Sequence, residues 1–168
     1  NKIDKVIDSI NNGTYDFKNK AIIENDDINS LYLNGLIEID GKKSKDMLVE
    51  YYNNYPDAIY AHDAVSRIAE YYYSKGLYVK SSLWFRKIPI MYPNSNHLNK
   101  SISYFLNSLV ISGRTDSARY YAKEFSSKYP KLKINNDFLK NETKKSESII
   151  TDYTNNVSKS RYSVQIGT

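Results

Sequence analysis

The chain has no cysteine, which excludes a disulfide framework, a thiolate zinc site and a thiol nucleophile. No run approaches the ~20 apolar residues that a membrane span needs. Histidine occurs only as His62 and His97, without HExxH or any comparable ligand spacing. His62-Asp63, at the start of a helix, reads as surface polarity rather than a ligand pair. No glycine-rich phosphate loop and no GxSxG context is present. The carboxylates Asp26-Asp27 read as capping charges at the positive end of a helix dipole. The expectation is therefore no catalytic residue, no metal and no cofactor. Prolines number four and glycines six among 168 residues, so each acts as punctuation.

Three of the four prolines follow tyrosine. Tyr55-Pro56, Tyr92-Pro93 and Tyr129-Pro130 recur at a step of 37 residues, and Gly76 and Gly113 keep the same step. Self-similarity at a period in the thirties marks a helical repeat array. Each unit reads as helix A, a turn, helix B and a Tyr-Pro stop, because proline cannot continue a helix and biases its predecessor away from helical angles. Asp57 is the expected cap of the second helix A, and Asn94 or Ser95 of the third. Helix A carries Ala61, Val65, Ile68, Ala69 and Tyr72 in the second unit and Leu98, Ile102, Phe105, Leu106 and Leu109 in the third. Both sets step by three or four and share a face. Gly76 and Gly113 sit where helix A reverses into helix B, and only glycine takes positive φ cheaply there. Helix B shows Leu83, Trp84, Phe85 and Ile88, then Ala118, Tyr121, Ala122 and Phe125. The first unit is weaker: Ile28, Leu31, Tyr32, Leu36 and Ile39 suit helix A, and Met47, Leu48 and Tyr51 suit helix B. Its glycine, Gly41, lies two residues later than the repeat step requires. Pro89 should kink or end the second helix B about a turn early.

The fold class is thus all-α, a solenoid of about three helix pairs over residues 26–134. Residues 1–25 form an N-terminal amphipathic helix (Ile3, Val6, Ile7, Ile10), closed by Asn12-Gly13, and a connector in which Lys20–Glu24 reads either as a short strand or as the approach to the first helix A. Residues 135–160 are polar, low in apolar residues, and read as a linker with limited helical content around Asp137–Ile150. In residues 161–168 Tyr162, Val164 and Ile166 alternate with Ser163, Gln165 and Gly167, the period of a half-buried strand. One strand is not stable alone, so the rest of its sheet is expected beyond the given sequence. The chain opens on Asn1 rather than Met and is expected to be a processed or cut piece, compatible with a signal sequence or lipid anchor upstream.

Charge is unevenly spread. Residues 1–70 hold 8 basic and 13 acidic side chains, whereas residues 71–133 hold 11 basic and 2 acidic. Such a segment favours an anionic partner, or is a solvated face kept for solubility. The 17 tyrosines against 5 phenylalanines are explained equally by an AT-rich genome and by function. Tyr71-Tyr72-Tyr73 point about 100° apart on a helix, so at least one belongs to the core.

Residues 46–131 resemble tetratricopeptide repeats, in particular those of the periplasmic Tol-Pal coordinator and BamD-like lipoproteins. Ala64, Ala69, Tyr72, Gly76, Phe85, Tyr92 and Pro93 match that pattern. Ser81 departs from it, standing where alanine is usual, and the step exceeds the common value of about thirty-four. Separately, Tyr162, Val164, Gln165, Ile166, Gly167 and Thr168 resemble the opening strand of the SPOR domain, a small α/β fold that binds peptidoglycan stripped of its stem peptides. The resemblance implies a peptidoglycan contact through Gln165 once the rest of that domain is present. It also implies a concave groove lined by the A helices that takes a protein or peptide partner. Its expected lining is Asp63, Ser66, Glu70 and Tyr73 in the second unit and Lys100, Ser103, Asn107 and Val110 in the third.

These resemblances imply a non-enzymatic scaffold of the bacterial cell envelope, located in the periplasm. A cytoplasmic repeat adaptor with no cell-wall role stays open, as does an enzyme whose active site lies wholly outside the given sequence. A basic nucleic-acid-binding repeat protein is a further alternative, but no DNA- or RNA-binding motif is present and the basic residues are not aligned on one helix, so no nucleic acid is expected.

Overall fold

A computed structural model describes residues 2–16 and 28–134. Among these residues all regular structure is helical. The elements are α1 (Lys2–Asn11), α2 (Ile28–Ile37), α3 (Gly41–Asn54), α4 (Ala61–Ser74), α5 (Tyr78–Phe85), α6 (Lys87–Met91), α7 (Leu98–Ile111) and α8 (Thr115–Lys128). No helix here is long and apolar enough to cross a membrane. The helix proposed around residues 137–150, the linker, the terminal strand and the segment Lys20–Glu24 lie outside the described residues.

The sequence period is written into the backbone. α3, α6 and α8 end on Tyr55, Tyr92 and Tyr129, whose φ/ψ values are −137/61°, −129/57° and −126/66°. The proline that follows each keeps it out of the α region. Each tyrosine still closes the last turn, its N–H donating at 2.8 Å to Tyr51, Ile88 or Phe125.

The opposite turns also repeat. Gly76 and Gly113 take φ of 70° and 77°. Each glycine N–H bonds back to the carbonyl three residues earlier, and the next residue's N–H bonds five residues back, at 2.8 to 3.0 Å. This is the Schellman arrangement. Gly13 closes α1 in the same way. Gly41 does not: it starts α3, and the first A–B turn is closed instead by Asp40, whose carboxylate accepts from the N–H groups of Lys42 and Lys43 at 2.9 Å.

Pro89 divides the second B helix as expected. The lost bond is the one that Pro89 would have donated to Phe85, and the helix is interrupted at Arg86, which itself keeps helical angles. The expected A-helix caps are corrected. Asp57 and Asn94 cap nothing, because two tight turns intervene and α4 and α7 start four or more residues later, after Tyr60 and His97. Ser95 accepts the His97 N–H at 3.1 Å within the preceding turn.

Packing follows the apolar stripes. Tyr32, Leu33, Leu48, Tyr51, Ala64 and Ile68 form one cluster with Ile3 and Ile7 of α1. Ala69, Phe85, Ile102, Phe105, Leu106, Ala118, Ala122 and Phe125 form the next. Trp84 touches both, and a third small cluster of Tyr52, Val65 and Ile88. Ile28, Ile39 and Leu83, read as core from spacing, are 50%, 95% and 56% exposed. Ile39 lies beyond the end of α2, and Leu83 projects from the outer face of α5. Of the three consecutive tyrosines, Tyr72 packs on the first cluster and Tyr73 on the second.

Ser44, Ser81 and Ala118 stand one repeat step apart, and in the last two units Ser81 and Ala118 are fully buried. The Ser81 hydroxyl donates to the Ala69 carbonyl at 3.1 Å, and Ser44 to Gly35 at 2.6 Å. A buried hydroxyl that returns its hydrogen bond to the facing helix replaces alanine without an unsatisfied group.

Candidate functional site

α5 packs against both α4 and α7, as α3 packs against both α2 and α4, and side chains reach directly between the A helices α4 and α7. Five of the eight expected groove residues, Asp63, Ser66, Glu70, Tyr73 and Lys100, make side-chain contacts on this face. Glu70 Oε1 accepts from Lys100 Nζ at 2.9 Å and from Ser66 Oγ at 2.9 Å. Asp63 pairs with the His97 ring. Tyr73 sets its ring edge-on to Tyr104 at 4.8 Å between centroids. Ser66 is fully buried, and Val110 is half-buried against the second cluster. Ser103 bonds its own helix at Asn99, and Asn107 is exposed. Gln165 lies outside the described residues.

Arg67 was not picked out by the repeat comparison. It sits one helical turn after Asp63 and before Glu70, so the exposed stripe of α4 runs Asp63, Arg67, Glu70 rather than through Ser66. Its guanidinium reaches Asn11 of α1 at 3.2 Å. Seven residues earlier on both helices, the Tyr60 hydroxyl donates to Asp4 at 2.9 Å. Matching steps on the two helices mean that α1 runs parallel to α4. Tyr60 in turn stacks on Tyr32 at 4.8 Å with the rings 3° from parallel. The chain's own first helix thus covers the α2–α4 end of the A-helix face and leaves the α4–α7 end open.

A cleft of about 350 Å3 opens where α2, α3 and α4 meet, lined by Gly35, Ser44, Lys45, Arg67, Glu70 and Tyr71 among others. On its floor Gly35 lets α2 and α3 approach closely: a Cβ there would meet Leu48 Cδ2 at 2.8 Å. Its walls carry both signs of charge, from Lys45, Arg67 and Glu70, and one aromatic ring, Tyr71.

At the N-terminal ends of α4 and α7 the two histidines meet. The His62 and His97 rings are 5.7 Å apart, with Asp63 between them. Ser95 Oγ lies 3.1 Å from His62 Nδ1. Burial pushes the Asp63 carboxyl up, but the His97 hydrogen bond and the fields of His62, His97 and Arg67 outweigh it, so the group sits below its ordinary value. The side chains are 21% to 28% exposed, so the expectation of simple surface polarity for His62-Asp63 is corrected. These groups are partly enclosed and tied across two units. A sequence signal for the meeting existed: one repeat step from His62 is position 99, two residues past His97.

No protein-family model matches the chain, and no curated protein does either.

Proposed function

We propose that the chain is a non-enzymatic scaffold whose A-helix face docks a protein or peptide partner. The observation that carries the reading is the recurrence, at a 37-residue step, of the same Tyr-Pro stop and glycine turn. Repeats of this kind present a row of like helices and an extended surface rather than an enclosed site. On that surface Asp63, Arg67, Glu70, Lys100 and Asn107 alternate in charge beside Tyr73 and the cleft near Tyr71, which suits an extended segment carrying both charged and aromatic side chains.

The tetratricopeptide resemblance of residues 46–131 and the SPOR-like ending at Tyr162–Thr168 extend this reading. In it the protein belongs to the bacterial envelope, and the domain begun at its C-terminus, with Gln165, holds peptidoglycan. Several cations of the basic segment are engaged with the chain's own rings. Lys87 Nζ lies 4.8 Å from the Tyr52 ring centre and 5.2 Å from that of Trp84, and Arg86 lies 5.1 Å from that of Tyr121. That engagement favours a protein partner over a nucleic acid, which needs free cations along one track.

The test is a pull-down from an envelope fraction with the 168-residue chain, beside Lys100→Glu and Arg67→Glu. A specific protein retained by the wild type and lost from both variants supports the groove. Equal retention by all three discards it.

A further inference from the structure

We propose that His62, Asp63 and His97 form a binding site for one borderline divalent cation, Zn2+ by preference, that ties the second A helix to the third. The three side chains each offer one ligand atom, and these atoms all lie within 4.8 Å of one another. Two imidazoles and one carboxylate are a zinc donor set, and the two nitrogens select Zn2+, Ni2+ or Cu2+ over Mg2+ and Ca2+. A tetrahedral site with bonds of about 2.0–2.1 Å needs donors a little over 3 Å apart. The longest edge of the triangle must therefore contract by about 1.5 Å, and the partly exposed rings can supply this by rotation about their side-chain bonds. Water fills the fourth position, as in sites with three protein ligands.

The surroundings are built for orientation. His62 and Asp63 are consecutive on the first turn of α4, and His97 immediately precedes α7. Ser95 Oγ takes the His97 N–H at 3.1 Å, which fixes the turn that carries this ligand; its 3.1 Å contact with His62 Nδ1 gives way when that nitrogen takes the metal. Metal binding requires His62 protonated on Nε2 and His97 on Nδ1, leaving His62 Nδ1 and His97 Nε2 as donors. Two features oppose a cation: the positive ends of two helices converge here, and Arg67 is one turn from Asp63. The site is accordingly weaker than an all-protein structural zinc site, and it is a clamp between neighbouring units rather than a condition for folding.

The test uses the untagged 168-residue chain, since a histidine tag would bind the metal itself. Equilibrium dialysis should find about one Zn2+ per chain, and Co2+ should give the visible absorption of a four-coordinate site. Zn2+ at a hundredfold excess over its dissociation constant should raise the melting temperature by roughly 5–10 °C, and Mg2+ should not. His62→Gln and His97→Gln should each abolish all three responses while keeping the helical signal. A variant that fails to fold is replaced by Asp63→Asn, which should lose at least tenfold in affinity. No Zn2+ bound by the wild type overturns the proposal, and so does stoichiometric binding that survives in the variants.

Discussion

The hydroxyl of Tyr129 donates to the carbonyl oxygen of Pro89 at 2.7 Å. That carbonyl is free to accept because the residue four positions on, Pro93, has no N–H. Lys128 Nζ adds a second, longer contact at 3.3 Å. One unit earlier, the Tyr92 hydroxyl donates to the Pro56 carbonyl at 2.6 Å. The tyrosines of the second and third stops thus each close a carbonyl left open near the stop before, and there the dipeptide both ends a helix and ties its unit to its neighbour.

Removing the hydroxyl should therefore act between units. Tyr129→Phe and Tyr92→Phe should each lower unfolding free energy by about 1 kcal/mol, read as a shift of the urea midpoint. The Tyr129 loss should be the smaller, because Lys128 remains on the same acceptor. Two unchanged midpoints would show that these bonds contribute nothing beyond what water supplies.

The turn glycines separate conformational cost from packing cost. A Cβ at Gly76 or Gly113 meets no atom within 4 Å, yet both residues have positive φ. Gly76→Ala and Gly113→Ala should each cost about 1 kcal/mol from backbone strain alone. Gly41→Ala, at a helix start with an ordinary φ and a 3.6 Å contact to Tyr71, should be near neutral. Equal losses at all three positions would refute the Schellman assignment.

Ile7 is fully buried against α2 and α4, and α1 is joined to α4 through Tyr60 and Arg67. Ile7→Ala should cost about 2–4 kcal/mol and should raise amide exchange across α1 before the rest of the chain opens. Exchange in α1 that is already as fast as in an unfolded peptide would remove α1 from the A-helix face.

Stability should fall at alkaline pH. Burial, then the fields of Tyr52 and Asp57, push the Tyr92 phenol up to about 12, and Tyr32 and Tyr60 are raised further, chiefly by burial. The neutral phenols are favoured in the folded chain. Their contribution is complete below the ordinary value of 10.0 and is lost as pH climbs through the folded values. Urea midpoints should decline between about pH 10 and 12, and Tyr92→Phe should flatten that decline. Asp40 acts oppositely. The N–H groups of Lys43 and Lys42 lower its carboxyl, so its contribution is present above 3.8 and lost as pH falls through the lower folded value. The advantage of wild type over Asp40→Asn should vanish in strong acid.

Much of the helical order was legible because proline and glycine act locally. The stops at Tyr55, Tyr92 and Tyr129 and the turns at Gly76 and Gly113 follow from what those residues allow at their own positions. The break before Pro89 was legible for the same reason. The first unit's turn was not, since a side-chain cap at Asp40 does the work of a glycine and leaves no period. Helix starts were misplaced at Asp57 and Asn94 because tight turns after each proline postpone the helix, and a good capping residue can equally serve a turn. Of the four α4 positions read for the groove, Ser66 is buried and its neighbour Arg67 is exposed, a difference set by how α4 packs on its neighbours. The meeting of His62 with His97 was legible only through the repeat step, which carries His62 to within two residues of His97.

The docking claim is tested most directly by photo-crosslinking in the cell that makes the protein, with a benzophenone amino acid placed at Arg67, Asn107 or Leu83. The account predicts that Arg67 and Asn107, on the A helices, crosslink to the same partner, and that Leu83, on α5, does not. A partner captured from Leu83 and from neither A-helix position would contradict it.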